Sequence, residues 1–330
     1  MNATRKKFEG QIADGKFVLL EYLGGSEHSS VYRTERIPPA TLSTAESGAA
    51  APAVSQVREK AAIKLLTVKP GAAEAQLARW RQAEKLSHPN LLKIFESGQC
   101  RLRDEEFLYV VQELAEEDLS QILPQRALTP SESRAMLAPT LDVLAYLHSK
   151  GFVHAHLRPS NILALGDNVK LSADGVVKAG ERFPDFGRLS AYDPPEAANG
   201  KLSTAADMWS LGMTLSEVLT QRLPIWERLG QEEPHAPEGI PHPFDEIVGR
   251  CLLRDPLSRW KVEAVADRVQ HKLVKSAEAP APKVMRAAAT AQAPAAVAPP
   301  PIAKPSLASQ NPVRPPVSRP VASRPAAGPS

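Results

Sequence analysis

The fold is decided by the stretch Phe152–Leu163, which reads FVHAHLRPSNIL. Six further short motifs stand around it in the chain. They are Ala61–Lys64 (AAIK), His88–Asn90 (HPN), Leu108–Leu119 (LYVVQELAEEDL), Pro194–Glu196 (PPE), Asp207–Gly212 (DMWSLG) and Arg254–Pro256 (RDP) with Arg259. Each motif alone is weak evidence, but the seven motifs in this order specify one fold.

The hydrophobic periodicity between these motifs predicts strands first and helices afterwards. The predicted strands are 17–22, 31–35, 61–67, 91–96 and 107–113. The predicted helices are 74–86, 130–150, 204–220 and 244–254. A small sheet lobe followed by a larger helical lobe is one arrangement that fits this order, and periodicity alone does not distinguish it from other α+β folds.

In this order the seven motifs resemble those of eukaryotic-type Ser/Thr protein kinases, a family with bacterial members. The resemblance implies a two-lobed protein-kinase-like fold over residues 17–273, with the N-lobe at 17–114 and the C-lobe at 115–273. Residues 1–16 are then expected to form an N-terminal extension. The low-complexity segment 37–57 is expected to be a long surface loop between two strands.

The composition changes near residue 278. From Ala279 onward the chain is mostly Pro, Ala, Ser and Val, and all of its charged residues are basic. Such a segment cannot bury enough apolar surface to offset the entropy lost on ordering. Residues 274–330 are therefore expected to form a disordered, basic, Pro/Ala-rich tail.

Charge, cysteine content and hydropathy exclude several classes of function. The formal net charge of +3 indicates no nucleic-acid partner. Cys100 and Cys251 are far apart and lack metal-binding spacing, which is typical of reduced thiols in a cytoplasmic protein. No apolar run approaches the roughly 18 residues that span a bilayer, so no membrane span is expected within this chain.

The resemblance implies a nucleotide cleft between the lobes. Adenine would lie against apolar side chains and bond to the hinge backbone, and a strand lysine would contact the phosphates. The implied nucleotide-binding residues are Gly24, Val31, Ala62, Lys64, Glu113, Ala115, Asn161 and Leu163. The lid over the phosphates is degraded, because Ser26 and Ser29 replace the second and third glycines of the family motif. Gln112 would be the gatekeeper.

The catalytic loop departs from the family pattern. His156 stands where the family has the aspartate that accepts a hydrogen bond from the substrate hydroxyl, and Ala155 replaces the preceding arginine. Asn161, a metal ligand in the family, is kept. A neutral imidazole can accept a proton near pH 7 but brings no negative charge beside a metal. His156 is therefore either a substitute base or a loop histidine that only packs.

The helix partner of the strand lysine is also replaced. Counting nine residues back from His88 gives Arg79 where the family has a glutamate. Two cations in a low-dielectric site repel one another. Arg79 is therefore expected to point outward, or the helix to be rotated, so that Arg79 does not face Lys64.

The second metal motif, Asp-Phe-Gly in the family, can be aligned with the segment VKLSADG in two ways. The favoured alignment matches Gly175 to the glycine, which puts Ala173 at the aspartate and Asp174 on an apolar site. The rival alignment keeps the common spacing from Asn161 and puts Asp174 at the aspartate, so that Asn161 and Asp174 remain candidate metal ligands. In the favoured alignment Asp174 needs a cationic partner, for which Lys64 is the prime candidate.

Three matched residues have structural roles in the family. The resemblance implies that Glu196 pairs with Arg259 and that Asp207 binds the backbone of the catalytic loop. Active and inactive kinases both need these residues, so they do not bear on catalysis.

The losses at His156, Ala173 and Arg79 favour a pseudokinase. We expect a signalling or scaffolding module with protein partners, weak or no ATP binding, and no firm Mg²⁺ site. The alternative is an atypical, active Ser/Thr protein kinase that transfers the γ-phosphate of ATP to protein hydroxyls by means of His156 and Asp174.

Truncation of the chain after Glu278 will leave the melting temperature unchanged within error. A proline-rich segment without apolar periodicity contributes no packed surface to the folded domain. Calorimetry of the full and truncated chains measures the difference. A fall of several degrees on truncation would show that the tail packs on the domain.

Overall fold

The computed structural model describes residues 8–38, 58–67, 71–182, 189–198 and 200–276, with the backbone alone for 271–276. Residues 39–57 of the predicted surface loop and residues 277–330 of the predicted tail lie outside the described residues.

The small lobe is built on a five-stranded antiparallel sheet. Its strands are β3 (Glu21–Gly25), β4 (Ser29–Arg36), β5 (Glu59–Leu66), β6 (Ile94–Leu102) and β7 (Glu105–Glu113), in the spatial order β3-β4-β5-β7-β6. Every pair of neighbours is antiparallel. The interior strand β7 is buried on both faces because its sequence, EEFLYVVQE, is apolar at consecutive positions.

The outer face of this sheet is covered by the N-terminal segment. Two short strands, β1 (Ile12–Ala13) and β2 (Phe17–Val18), form a hairpin there. Phe8 and Ala13 are buried in one cluster with Ile63 and Val111 of the sheet. The part of the predicted N-terminal extension that the structure describes is therefore packed on the sheet. The aromatic side chain of Phe8 covers apolar surface of the sheet.

Helix α1 (Ala73–Ala83) packs on the inner face of the sheet. Leu77, Trp80 and Ala83 are buried on one side of the helix, as the periodicity predicts. The helix ends three residues before the predicted Leu86. There the amide of Leu86 bonds to the carbonyl of Ala83, and Pro89 follows soon afterwards and disfavours a continued helix.

Strand β6 is longer than predicted. The prediction stopped at Glu96, whereas the strand continues to Leu102 and turns into β7. Gly98 hides this continuation in the sequence because glycine weakens a strand pattern. It is needed here, since a Cβ at Gly98 would lie 2.7 Å from the hydroxyl of Tyr109.

The large lobe is mainly helical. Its helices are α2 (Leu119–Ile122), α3 (Pro130–Ser149), α4 (Thr204–Thr220), α5 (Phe244–Cys251) and α6 (Val262–Ser276). Its short strands are β8 (Glu117–Asp118), β9 (Phe152–Val153), β10 (Ile162–Leu165), β11 (Asn168–Leu171) and β12 (Val177–Lys178). Helix α3 begins at a capping box formed by Thr129 and Glu132, followed by Pro130 in the first turn. Helix α4 lies in the centre of the lobe, because nearly all of its residues are buried.

This arrangement confirms the predicted fold class, a small antiparallel β-lobe followed by a larger helical lobe. Helix α4 has the predicted bounds, whereas α5 ends three residues early and α6 was not predicted. Helix α6 continues to Ser276, past the predicted domain boundary at residue 273. Among the helices of the described residues, none is both long and apolar enough to cross a membrane.

Replacement of Phe8 by alanine will lower the free energy of unfolding by about 3–5 kcal/mol, the usual cost of removing a buried aromatic ring. Phe8 is 4% exposed, and its ring meets that of Phe107 edge-on at 5.2 Å. Ile12→Ala is the matched control, because Ile12 is 54% exposed in the same segment. Urea titration measures both variants, and equal losses would contradict a packed N-terminal segment.

Candidate functional site

The inner face of the sheet brings together most of the side chains predicted to bind nucleotide. Val31 of β4 lies opposite Lys64 of β5, and Gly24 of β3 lies opposite Val31. Ala62 is two residues from Lys64 and opposite Gln112 of β7. Directly opposed and alternate residues share a face of a sheet, so Val31, Ala62, Lys64 and Gln112 line the same surface.

The predicted lid is a closed hairpin turn. The amide of Ser26 donates to the carbonyl of Ser29 over 2.9 Å, and the two hydroxyls lie 2.8 Å apart. The carbonyl of His28 accepts from both the amide and the hydroxyl of Thr67. Gly25 permits this turn, because a Cβ there would lie 2.2 Å from the carbonyl oxygen of Ser29. The Ser26 amide is therefore already engaged within the turn.

A short ion pair between Lys64 and Asp174 crosses the cleft. The Nζ atom of Lys64 lies 2.5 Å from Oδ2 of Asp174, and the two side chains are 22% and 10% exposed. Burial alone would raise the pKa of Asp174, but the Lys64 ammonium outweighs burial and holds that pKa below its ordinary value. The predicted pairing of Asp174 with Lys64 is therefore confirmed.

The environment of this pair bears on the alignment of the second metal motif. Ala173, placed there at the metal-binding position, is 1% exposed and packs in the main core with Leu171. Side chains alternate along the chain at the end of β11, so Leu171 and Ala173 point to the core while Asp174 points to the cleft. Leu171 stays buried, as the favoured alignment requires, and Asp174 meets Lys64, the cation that this alignment assigned to it.

The turn that presents Asp174 is held from both lobes. The carbonyl of Asp174 accepts a hydrogen bond of 2.8 Å from the indole nitrogen of Trp80 on α1. A Cβ at Gly175 would lie 2.8 Å from the Cβ of His156, so glycine permits close packing on the catalytic loop. The contribution of Trp80 was not predicted, and its only sequence signal is its position on the buried face of the helix.

Arg79 points away from the cleft, as expected from charge repulsion. Its Nε atom lies 3.3 Å from Oε2 of Glu181, and its side chain is 20% exposed. Glu181 follows strand β12, so this ion pair links α1 to the large lobe. Glu181 was missed, because its distance in sequence gives no sign of the contact.

Asp207 fixes the catalytic loop. It is 0% exposed and accepts hydrogen bonds of 2.9 Å from the amides of His154 and Ala155, and one of its oxygens lies 2.8 Å from Nε2 of His148. Ala155 has a φ of +60°, a left-handed conformation that side chains other than glycine rarely adopt. The predicted contact between Asp207 and the loop backbone is present and stabilises this strained residue.

His156 and Asn161 sit within the same loop. The side-chain amide of Asn161 donates to the carbonyl of His156 over 2.6 Å, which leaves the amide oxygen of Asn161 directed elsewhere. Burial lowers the pKa of His156 well below its ordinary value, and the nearby cations Arg158 and Lys64 lower it further. His156 is therefore neutral and weakly basic at pH 7.

The hinge is braced by an ion pair that the sequence did not predict. The carboxylate of Glu113 accepts from Nζ of Lys170 over 2.7 Å and from the amide of Lys93 over 3.0 Å. Ala115, two residues beyond Glu113, is half-buried. Leu163 lies on β10 opposite Asp118 of β8, at the top of the large lobe.

The expected structural pair between Glu196 and Arg259 is present and bidentate. The two guanidinium nitrogens of Arg259 donate to the two carboxylate oxygens over 2.7 and 2.9 Å. Arg259 also donates to the carbonyls of Leu253, Ala205 and Arg254, so its buried charge is fully hydrogen-bonded.

A β-lobe and a helical lobe that enclose a strand lysine, a loop asparagine and a turn aspartate define a domain of the protein-kinase class. The chain belongs to the protein kinase domain family, whose model matches residues 45–273, more than half of the 330 residues. Members of this family generally use ATP and Mg²⁺.

Similar proteins include protein kinases of plants, bacteria and an animal. CBL-interacting protein kinase 4 of Oryza sativa subsp. japonica is 30% identical over 278 residues, which are 78% of this chain and 58% of that protein. Serine/threonine-protein kinase PkaA of Streptomyces coelicolor is 29% identical over 275 residues, 76% of this chain and 49% of that protein. The chain thus spans about half the length of these two relatives.

A solved structure supports the fold. A double mutant of the Mycobacterium tuberculosis PknI kinase domain superposes with a TM-score of 0.58, covering 80% of this chain and 98% of that one. The sequence identity is 20%, so this likeness bears on the fold alone.

Asp174→Ala and Lys64→Met will each lower the free energy of unfolding by about 3–5 kcal/mol, because each leaves a buried charge without its partner. The double variant will lose clearly less than the sum of the two. Chemical denaturation of the four proteins measures this coupling, and simple additivity would contradict it.

The stabilisation contributed by the Lys64–Asp174 pair will also depend on pH in a defined direction. The pKa of Asp174 is lowered in the folded state, so its stabilisation is fully present above the ordinary value of 3.8 and is lost as the pH falls through the folded-state pKa. The difference in stability between the wild type and Asp174→Asn will therefore be constant near pH 7 and shrink only under acidic conditions.

Proposed function

We propose that this domain does not transfer phosphate and acts as a signalling or scaffolding module, that is, a pseudokinase. The observation that carries the proposal is the residue at the base position. His156 brings no negative charge, and its lowered pKa makes it a poor proton acceptor at neutral pH. The family's chemistry needs that position to orient the attacking hydroxyl.

We infer that ATP binds weakly or not at all. Val31 and Ala62 form an apolar surface suited to adenine, and Lys64 lies beside it. The Lys64 ammonium, however, is already paired with Asp174 at 2.5 Å, and phosphates would have to compete with that carboxylate. The Ser26 amide is engaged within its own turn and is not free to bind phosphate.

Mg²⁺ fits this cleft poorly. Asn161 and Asp174 are the two candidate ligands, but the Asp174 charge is neutralised by Lys64. Metal ligation would require the ion pair to open, and the neutral His156 adds no attraction for a cation. Both residues could ligate a metal once the pair had opened, so the obstacle to Mg²⁺ is affinity and not geometry.

The remaining features of the chain support a docking role. We propose a kinase-like domain over residues 17–273 with packed residues before it, a basic Pro/Ala-rich tail over residues 274–330 as a tether, protein partners, and a cytoplasmic location. Three ion pairs between the lobes, Lys64–Asp174, Arg79–Glu181 and Lys170–Glu113, favour one fixed lobe arrangement, which suits a scaffold.

A second candidate function, an atypical active Ser/Thr kinase, is favoured by one observation. Asp174 faces the cleft and Asn161 is ordered against the catalytic loop, so both could serve as metal ligands. In that case His156 would have to act as the base in spite of its lowered pKa.

The purified protein will incorporate no phosphate from labelled ATP into myelin basic protein or casein above the level of a Lys64→Met variant. The expected reason is the missing carboxylate at His156. His156→Asp is the informative second variant, because it restores the family residue. Lys64-dependent incorporation by the wild type would overturn the proposal and favour the active kinase.

Thermal shift with ATP, with and without Mg²⁺, separates the two functions further. A pseudokinase with the Lys64–Asp174 pair will show a small shift or none, and Mg²⁺ will not increase it. A Mg²⁺-dependent rise in melting temperature would contradict the weak-metal part of the proposal.

A further inference from the structure

A segment of the large lobe, residues 190–194, forms neither helix nor strand. It leads into the short 3-10 helix Pro195–Ala198 and is partly covered, with Pro194 buried and Ser190 half-buried. The backbone carbonyls of such a segment find no partners within a helix or a sheet, and an unpaired buried carbonyl is costly. The order of this segment therefore depends on the side chains that bond to its carbonyls.

One side chain, Arg228, bonds to three carbonyls of this segment. Its Nη1 atom donates to the carbonyl of Pro194 over 2.7 Å. Its Nη2 atom donates to the carbonyls of Ser190 and Asp193 over 2.9 and 3.2 Å. A guanidinium group presents its N–H donors in a rigid planar fork, so it can hold several acceptors at once. Both ends of the segment are thereby tied to a single group.

Arg228 is itself held in place by the chain around it. Trp226 packs edge-on against Trp209 of α4 with ring centroids 4.8 Å apart, and the Arg228 guanidinium lies 4.9 Å from the centre of the Trp226 ring. The side chain of Arg254 donates to the carbonyls of Glu227 and Arg228. Because the backbone that carries Arg228 is fixed by these contacts, less entropy is lost when its side chain bonds to the segment.

The attraction between Arg228 and the segment is electrostatic. Burial lowers the pKa of Arg228 from its ordinary value, and the carboxylates of Asp193 and Glu196 act in the opposite direction. A partly buried guanidinium keeps its charge because carbonyl dipoles and carboxylates replace the water it has lost. A neutral side chain of similar length therefore cannot hold the segment as Arg228 does.

The hydroxyl groups of the segment are also engaged. The hydroxyl of Ser190 donates to Oδ2 of Asp193 over 3.0 Å, and the hydroxyl of Tyr192 donates to Glu217. The hydroxyl of Ser210 on α4 donates to the carbonyl of Tyr192 over 2.9 Å. A phosphate on Ser190 or Tyr192 would lose one of these bonds and be repelled by a carboxylate. The contacts of the unmodified segment thus already order it.

We propose that Arg228 is a clasp that keeps residues 190–194 in one conformation in the unmodified chain. Arg228 acts as a positioning residue, and the segment opens only when the guanidinium group releases its three carbonyls. The segment is then ordered at all times and is not controlled by phosphorylation. This inference goes beyond the proposed function and does not depend on it, because such a clasp is compatible with an active and with an inactive domain.

Hydrogen exchange of the full chain, measured by mass spectrometry, tests the clasp. Peptides that cover residues 189–198 report on the segment, and peptides of β7 and α4 are internal references. In Arg228→Gln the exchange of residues 189–198 will accelerate by about tenfold or more, because charge-assisted hydrogen bonds are lost. Exchange in the reference peptides will stay unchanged, which separates local opening from global unfolding. Phosphatase treatment of the wild type will leave exchange at residues 189–198 unchanged.

Two further variants assign the effect to the guanidinium fork. Arg228→Lys will accelerate exchange at residues 189–198 by only about threefold, because it keeps the charge and loses the fork. Arg222→Gln is the matched control and will leave that exchange unchanged. Arg222 is exposed in the same loop and donates to the carbonyl of Glu238, outside the segment.

The clasp is refuted if residues 189–198 exchange at the wild-type rate in a folded Arg228→Gln variant. Equal acceleration in Arg222→Gln refutes it as well, and so does acceleration after phosphatase treatment, which would show that a phosphate holds the segment. If Arg228→Gln does not fold, Arg228→Lys decides, since exchange at the wild-type rate in that variant refutes the clasp. Phosphate transfer is measured separately, so kinase activity would refute the proposed function alone and unchanged exchange would refute this inference alone.

Discussion

The buried carboxylate of Asp207 is the constraint on which the rest of the site depends. A fully buried acid is stable only if its oxygens accept hydrogen bonds, and Asp207 obtains them from His148 and from the amides of His154 and Ala155. These bonds hold Ala155 in a left-handed conformation and so set the direction of the loop. The placement of His156, Arg158 and Asn161 follows from that direction.

An ion pair joins the two lobes across the cleft. In this family the strand lysine meets phosphates, whereas here it meets Asp174 at 2.5 Å. The lost helix glutamate explains the change, since Arg79 turns to Glu181 and leaves Lys64 with one anionic neighbour. Asp174, which could ligate a metal, thereby becomes a structural partner of Lys64. A phosphate group that bound Lys64 would have to displace this carboxylate.

A single substitution changes the chemistry of the cleft. With a histidine at position 156, the cleft lacks a carboxylate beside the transferred group, and the buried imidazole is too weakly basic to replace it. Under the proposed function, the charge missing at position 156 is what removes catalysis.

The sequence by itself determined the family, the order of the lobes and most of the helices, because seven motifs and apolar periodicity are local properties. It also determined the structural pair of Glu196 with Arg259 and the pairing of Lys64 with Asp174, since a buried charge requires a partner. The tertiary structure alone decided that Ala173 packs in the core, because the two alignments of this short segment differ only in the side chains they bury. It alone revealed that Phe8 covers the sheet, and that Glu181 and Lys170 bridge the lobes, because contacts between residues far apart in the chain leave no periodic signal in the sequence.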